Sequence, residues 1–158
     1  MRTSQCNPRM ICDYRFPFVM ALSGYSGTPL VKKLGIKPDA RVALIGAPPG
    51  FRRELVGLPP RVALSAGVRG SPDLVVWFVK SLRQLDAGIA GMARAMGPGL
   101  WIAWPKRSSA LASDIGENEV RAAGLAHGLV DYKVCAVNET WSGLKFARRP
   151  PISTGARC

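Results

Sequence analysis

The sequence predicts an α/β fold with a mostly parallel sheet and a C-terminal β-hairpin. Three observations carry this prediction. Short apolar runs suited to a sheet covered on both faces recur along the chain, residues 74–79 above all. Segments with helical spacing and capping signals alternate with them. Near the end, two strand-like runs follow one another with only Asn138-Glu139-Thr140 between them. Strands that alternate with helices pair in parallel through right-handed crossovers.

Taken in order, Thr28-Pro29 opens a first helix as an N-cap followed by proline at the first helical position, and Gly35 closes it. Residues 41–46 read as a short buried strand, Ala47-Pro48-Pro49-Gly50 as a tight turn, and 51–56 as a short helix. Residues 61–66 form a second strand, weakened by its alanines, and 74–79 the strongest one. Ser81 and Gln84 make a capping box, and Leu82, Leu85, Ile89, Met92 and Met96 recur at spacings of three and four. Gly97-Pro98-Gly99 ends that helix, and 100–104 is the next strand. Asp114 and Glu117 open a further helix that Gly128 closes. Residues 131–137 and 141–147 are the arms of the hairpin.

The 158 residues suit one domain, placed at 20–147. Residues 1–19 have neither helical nor strand periodicity and are expected to be a disordered extension, with Met20 the natural initiator. Arg148-Arg149-Pro150-Pro151 closes the domain, because consecutive prolines cannot continue a strand ladder, and 148–158 is expected to be a flexible basic tail. No apolar run approaches the roughly 20 residues that cross a bilayer. Residues 16–22 are too short for a secretory core and contain Pro17. The expectation is a cytoplasmic protein without a membrane partner.

Lysine and arginine number 22 against 10 acids, a net charge of +12. Such a field attracts phosphates, nucleic acid and anionic metabolites. The charge is spread along the chain without a run of five like residues. Of the four cysteines, Cys6, Cys12 and Cys158 fall in the terminal segments and Cys135 in a strand expected to be buried, so no disulfide framework is expected. With His127 the lone histidine, no metal site is expected either.

Several blocks resemble an uncharacterised family of short bacterial proteins, the domain-of-unknown-function family 3052. They are Gly24-Tyr25-Ser26-Gly27-Thr28-Pro29-Leu30 with Lys33-Leu34-Gly35-Ile36, Trp104-Pro105-Lys106, Val130-Asp131 with Lys133-Val134-Cys135-Ala136-Val137, and Glu139-Thr140-Trp141-Ser142-Gly143-Leu144. The resemblance spans nearly all of 22–147 and implies the domain limits without implying an activity. A second likeness, carried by 74–79, 100–104 and the closing hairpin, is to methyltransferases that use S-adenosylmethionine, and implies a truncated Rossmann-like, methyltransferase-like sheet. That class has a glycine-rich turn after the first strand and an acid at the end of the second. Here the turn holds Pro48 and Pro49, which remove backbone donors, and the second strand runs into Ser65-Ala66-Gly67 without an acid. No cofactor is therefore predicted, and S-adenosylmethionine is the one the likeness implies.

In an open parallel sheet, ligands bind beyond the carboxyl ends of the strands. That rule collects Gly46, Gly50, Lys80, Trp104, Lys106, Arg107, Ser108, Asn138 and Glu139 as candidate ligand-binding residues on one rim. Trp104 beside Lys106 and Arg107 offers an aromatic face next to two cations, against the plainer reading of a tryptophan packed on the sheet. Ser26, Gly27 and Thr28, before a helix start and followed by Lys32-Lys33, form a candidate anion-binding set, although Thr28 also reads as an ordinary N-cap. No catalytic residue is assigned. His127 sits where a helix ends, Ser108 and Ser142 have no evident acid and histidine partners, and Glu139 reads as a turn acid. The readings carried forward are a non-catalytic protein that binds a small anionic ligand or a protein partner, a nucleic-acid-binding protein acting through its basic surface, and a degenerate or unusual methyltransferase.

Overall fold

The computed structural model describes residues 28–111 and 113–150. The expectations for 1–19, for Ser26 and Gly27, and for the chain beyond 150 lie outside these residues. The elements run α1 (Leu30–Leu34), β1 (Arg41–Ile45), α2 (Phe51–Glu54), β2 (Ala63–Ser65), β3 (Leu74–Phe78), α3 (Leu82–Ala95), β4 (Gly99–Pro105), α4 (Glu117–Ala126), β5 (Leu129–Ala136) and β6 (Trp141–Arg148). The six strands make one sheet in the order β2-β1-β3-β4-β6-β5. β2, β1, β3 and β4 run parallel to one another, and β6 is antiparallel to both β4 and β5. The α/β class with its closing hairpin is as the sequence predicts.

The continuous apolar runs are explained by burial on both faces. Along β3, Val75 and Trp77 face one core with Ile102, Leu144 and Phe146, sealed by Leu85 and Ile89 of α3 and Val120 of α4. Val76 and Phe78 face the other with Val42, Trp101 and Trp141, sealed by Leu34 of α1 and Phe51 of α2. An alternating polar pattern would leave one of these faces unsealed. Trp101, fully buried, donates its indole N–H to the Leu34 carbonyl at 3.0 Å and so ties α1 to the sheet.

Some local expectations need correction. Pro29, not Thr28, stands at the N-cap of α1, which starts at Leu30 without a side-chain cap. The capping box before α3 is half realised: Ser81 Oγ accepts from the Gln84 N–H, but Gln84 Oε1 accepts from the Lys80 N–H. Asp114 does not open α4, whose N-cap is Gly116. Its carboxylate instead accepts the Leu82 N–H and supplies a second cap to α3. β5 is an edge strand, so Cys135 is half-buried instead of interior. β6 reaches Arg148, whose guanidinium donates to the carbonyls of Arg94 and Met96, and the Arg149 N–H donates to the Gly128 carbonyl. Residues 148–149 are thus part of the fold.

Candidate functional site

Because β1 to β4 point the same way, their exit loops share one end of the sheet, where antiparallel β6 begins and β5 finishes. Gly46, Gly50, Lys80, Trp104, Lys106, Arg107, Ser108, Asn138 and Glu139 all belong to loops or strand ends at this rim. The chain leaves β1 for β2 on one side and returns to β3 on the other, which makes the β1/β3 boundary the switch point where a crevice is expected.

At that boundary the turn after β1 packs closely on β3. Gly46 has φ +65°, and a Cβ there would lie 3.0 Å from the Phe78 carbonyl oxygen, so the glycine admits the backbone of β3. Gly50 has φ +83° with open space around it, and its role is to start α2. The Phe51 N–H donates to the Pro48 carbonyl at 3.1 Å, which closes the turn. Phe51 then meets Phe78 edge-on at 4.7 Å between centroids, and Phe78 meets Trp141 at 5.0 Å. All three rings are buried. They knit α2, β3 and β6 together beneath the rim.

The space at the rim includes three separate depressions among the described residues. The first, about 480 Å³, is lined by residues 46–53 and Ala66 and includes Arg52 and Arg53, both exposed, with no carboxylate among its walls. The second, about 620 Å³, gathers Trp104, Lys106, Arg107 and Ser108 with Glu117, Glu119 and Ser142. The third, about 570 Å³, holds Asn138 and Glu139 with Leu30, Glu54 and Val56. The rim residues are therefore not brought into one pocket. Lys80 is exposed, and its N–H serves the α3 cap.

Charge separates the three. In the second depression, Trp104 is only 5 % exposed and packs in the core with Leu85 and Ile115, so its ring is not an open stacking face. Lys106 and Arg107 stand opposite Glu117 and Glu119, two acids in the first turn of α4 that already complement its positive end. Glu117 also accepts from Arg121 at 2.6 Å, and Arg121 donates to Asp131 at 2.9 Å; these two carboxylates hold its guanidinium above its usual pKa. In the third, Asn138 is committed. Its amide donates to Glu54 at 2.8 Å, and its oxygen accepts the N–H groups of Thr140 and Trp141, both at 2.9 Å, which shapes the hairpin turn. Two carboxylates and no cation line that hollow. Of these three, the first is the one lined by cations without an acid. Reasoning from sequence passed over Arg52 and Arg53, although their place directly after the turn at the first strand's end was a usable signal.

Other sequence candidates are placed as follows. Thr28, exposed, lines a smaller depression with Lys32, Lys33, Lys133 and Cys135. Burial pushes the Cys135 thiol above its usual pKa, with Lys33 and Lys133 opposing. A thiol so placed is not poised as a nucleophile. His127 is the C-cap of α4, its Nδ1 2.9 Å from the Ala123 carbonyl. Among the described residues, no group of three or more histidines, cysteines and acids could hold a metal ion, and no helix is long and apolar enough to cross a membrane.

No family model matches this chain. No curated protein matches it either. Solved structures do. A ribosomal protein L11 methylase from Lactobacillus delbrueckii subsp. bulgaricus aligns with a TM-score of 0.52 at 14% identity, covering 77% of this chain and 75% of that one. A possible exported protein from Bordetella parapertussis aligns with a TM-score of 0.52 at 14% identity, covering 77% and 65%. Mitomycin 7-O-methyltransferase MmcR aligns with a TM-score of 0.50 at 15% identity, covering 69% of this chain and about half, 49%, of that one. The chain has a methyltransferase-like Rossmann fold.

Proposed function

We propose that this chain is a non-catalytic binding protein on a methyltransferase-like sheet, and that it takes a small anionic ligand in the depression beside Arg52 and Arg53. The observation that carries the reading is that Arg52 and Arg53 stand exposed in a hollow with no acid among its walls, beside a turn in which Pro48 and Pro49 lack backbone donors. The end of β2 adds to it. Ser65 Oγ donates to its own loop at the Gly67 carbonyl, and no acid is present there to hold ribose hydroxyls. What remains is a shallow basic hollow next to the turn, suited to a phosphate or carboxylate.

Calorimetry with adenosine monophosphate and with S-adenosylmethionine tests this. The nucleotide should bind saturably, and the double variant R52A/R53A should weaken it about tenfold or more, since each charged contact removed is worth a factor of that order. S-adenosylmethionine should give neither heat nor a thermal shift at millimolar concentration. Saturable binding of S-adenosylmethionine would replace this reading with the second one, a degenerate or unusual methyltransferase, which the fold likeness favours. Nucleic-acid binding rests on the net charge of +12 and would announce itself as a steep salt dependence with generic DNA or RNA.

A further inference from the structure

At the opposite end of the sheet lies a depression of about 470 Å³ between the loop after α1, the starts of β3 and β4, and the outer strands β5 and β6. Its cation is Lys145, which sits in β6 opposite Trp101 of β4 and Lys133 of β5. Two glycines flank the path of this side chain. A Cβ at Gly99 would lie 3.3 Å from Lys145 Cε, and one at Gly35 would lie 3.2 Å from its Nζ. The ammonium ends 5.8 Å from the centroid of the Trp101 ring and 5.6 Å from that of Tyr132.

An ammonium carries three donors. Among the described residues no carboxylate or carbonyl accepts from Lys145, and its partners are the two rings. Two acids line the same hollow, but both are engaged. Asp39 is paired with Arg61, whose hydrogen bond holds the carboxyl below its usual pKa. Asp73 accepts the Arg41 N–H at 2.8 Å and lies 4.0 Å from the Arg41 guanidinium. Lys37 adds a further cation to the wall. The register shift between Asp131 and Lys133 is a local bulge, the device that re-aims a side chain out of a strand, and Tyr132 at that point is 57% exposed over the hollow.

We propose that this depression is an anion site, separate from the rim, for a small carboxylate carried on a planar apolar body. The carboxylate meets Lys145, and the planar body lies along Tyr132 and the prolines Pro38 and Pro98. Cation–π contact and a charge-assisted hydrogen bond are compatible on one ammonium, because the rings take its face and leave donors for an oxygen acceptor.

Benzoate is the probe, with benzamide as its neutral match. Benzoate should shift the Lys145 side-chain NMR signals saturably and benzamide should not. K145M, checked for folding by its thermal melt, should weaken benzoate about tenfold or more. The exposed change Y132A, which leaves Lys145 in place, should weaken it as well, and R52A/R53A should leave it unchanged. Benzoate affinity that survives both K145M and Y132A, an absence of saturable shifts, or a dependence on Arg52 and Arg53 instead would overturn the assignment. Loss of the far-end site by the first two outcomes leaves the rim reading intact, since that reading is tested by the nucleotide and R52A/R53A.

Discussion

Two helical glycines make a matched test of the packing that positions both ends of the sheet. A Cβ added at Gly91 in α3 would meet nothing within 4 Å, whereas one at Gly124 in α4 would lie 2.2 Å from Phe146 Cε1 and 2.7 Å from its Cζ. Intrinsic helix propensity favours alanine at either site by about 1 kcal/mol. For G91A that gain stands alone, and stability should rise by about 0.5–1 kcal/mol. For G124A the added methyl must displace a fully buried ring in the core, an overpacking cost of about 1–3 kcal/mol that outweighs the gain. The two variants should therefore separate by about 2 kcal/mol in urea unfolding at equal m-values. In thermal melts that is a gap of about 4–8 °C, taking about 2–4 °C per kcal/mol for a domain of this size. Shrinking the ring with F146L should rescue G124A more than additivity allows, since the two residues touch. If G124A proves as stable as G91A, α4 does not lie on β6 as described, and the second rim depression, to which α4 supplies Glu117, Asn118 and Glu119, goes with it.

Two further outcomes follow from single contacts. D114A should cost about 1 kcal/mol in urea unfolding, because the Leu82 N–H at the head of α3 loses its acceptor, and an unchanged midpoint would leave Ser81 as the whole cap. The Asp39 carboxyl is held below its usual pKa by the Arg61 hydrogen bond, so its contribution is fully present above the ordinary carboxylate value and lost as pH falls through the depressed one. D39N should therefore be less stable than the parent at neutral pH and converge with it in acid, as followed by urea midpoints from about pH 6 downward; a constant difference would show that the pair is not the origin.

The central strands were legible because parallel strands buried on both faces cannot alternate in polarity, and β3 and β4 reveal themselves as unbroken apolar runs. β2 was overestimated for the converse reason: as a three-residue exposed edge it has little packing to record in its sequence. Capping signals gave element types correctly and partners less so. Asp114 reads locally as a helix opener, yet its partner is 32 residues away, a distance no local pattern encodes. At the rim, Gly46 looked like a residue that lets a ligand approach. The neighbour it admits is the Phe78 carbonyl, and a glycine's spelling is the same for either. Of the two readings weighed for Trp104, the packed one holds, as the apolar run of β4 around it implies.

The distribution of ion pairs bears on which anions this surface can take. The pairs Arg41–Asp73, Arg61–Asp39 and Arg121 with Glu117 and Asp131 consume arginines and acids together. Arginine's rigid fork makes it the better ionic partner for a carboxylate, and the ion-paired acids among the described residues are paired with arginine. The cations that line hollows are dispersed: Arg52 and Arg53 in one at the rim, Lys32, Lys33 and Lys133 in a smaller one, and Lys37 and Lys145 beside Asp39 and Asp73 at the far end. A duplex needs cations along a continuous track to neutralise successive phosphates. Small hollows set apart from one another around a sheet satisfy small anions better than a polymer. The net charge of +12 by itself would have favoured the polymer; the pairing argues for the small ligand.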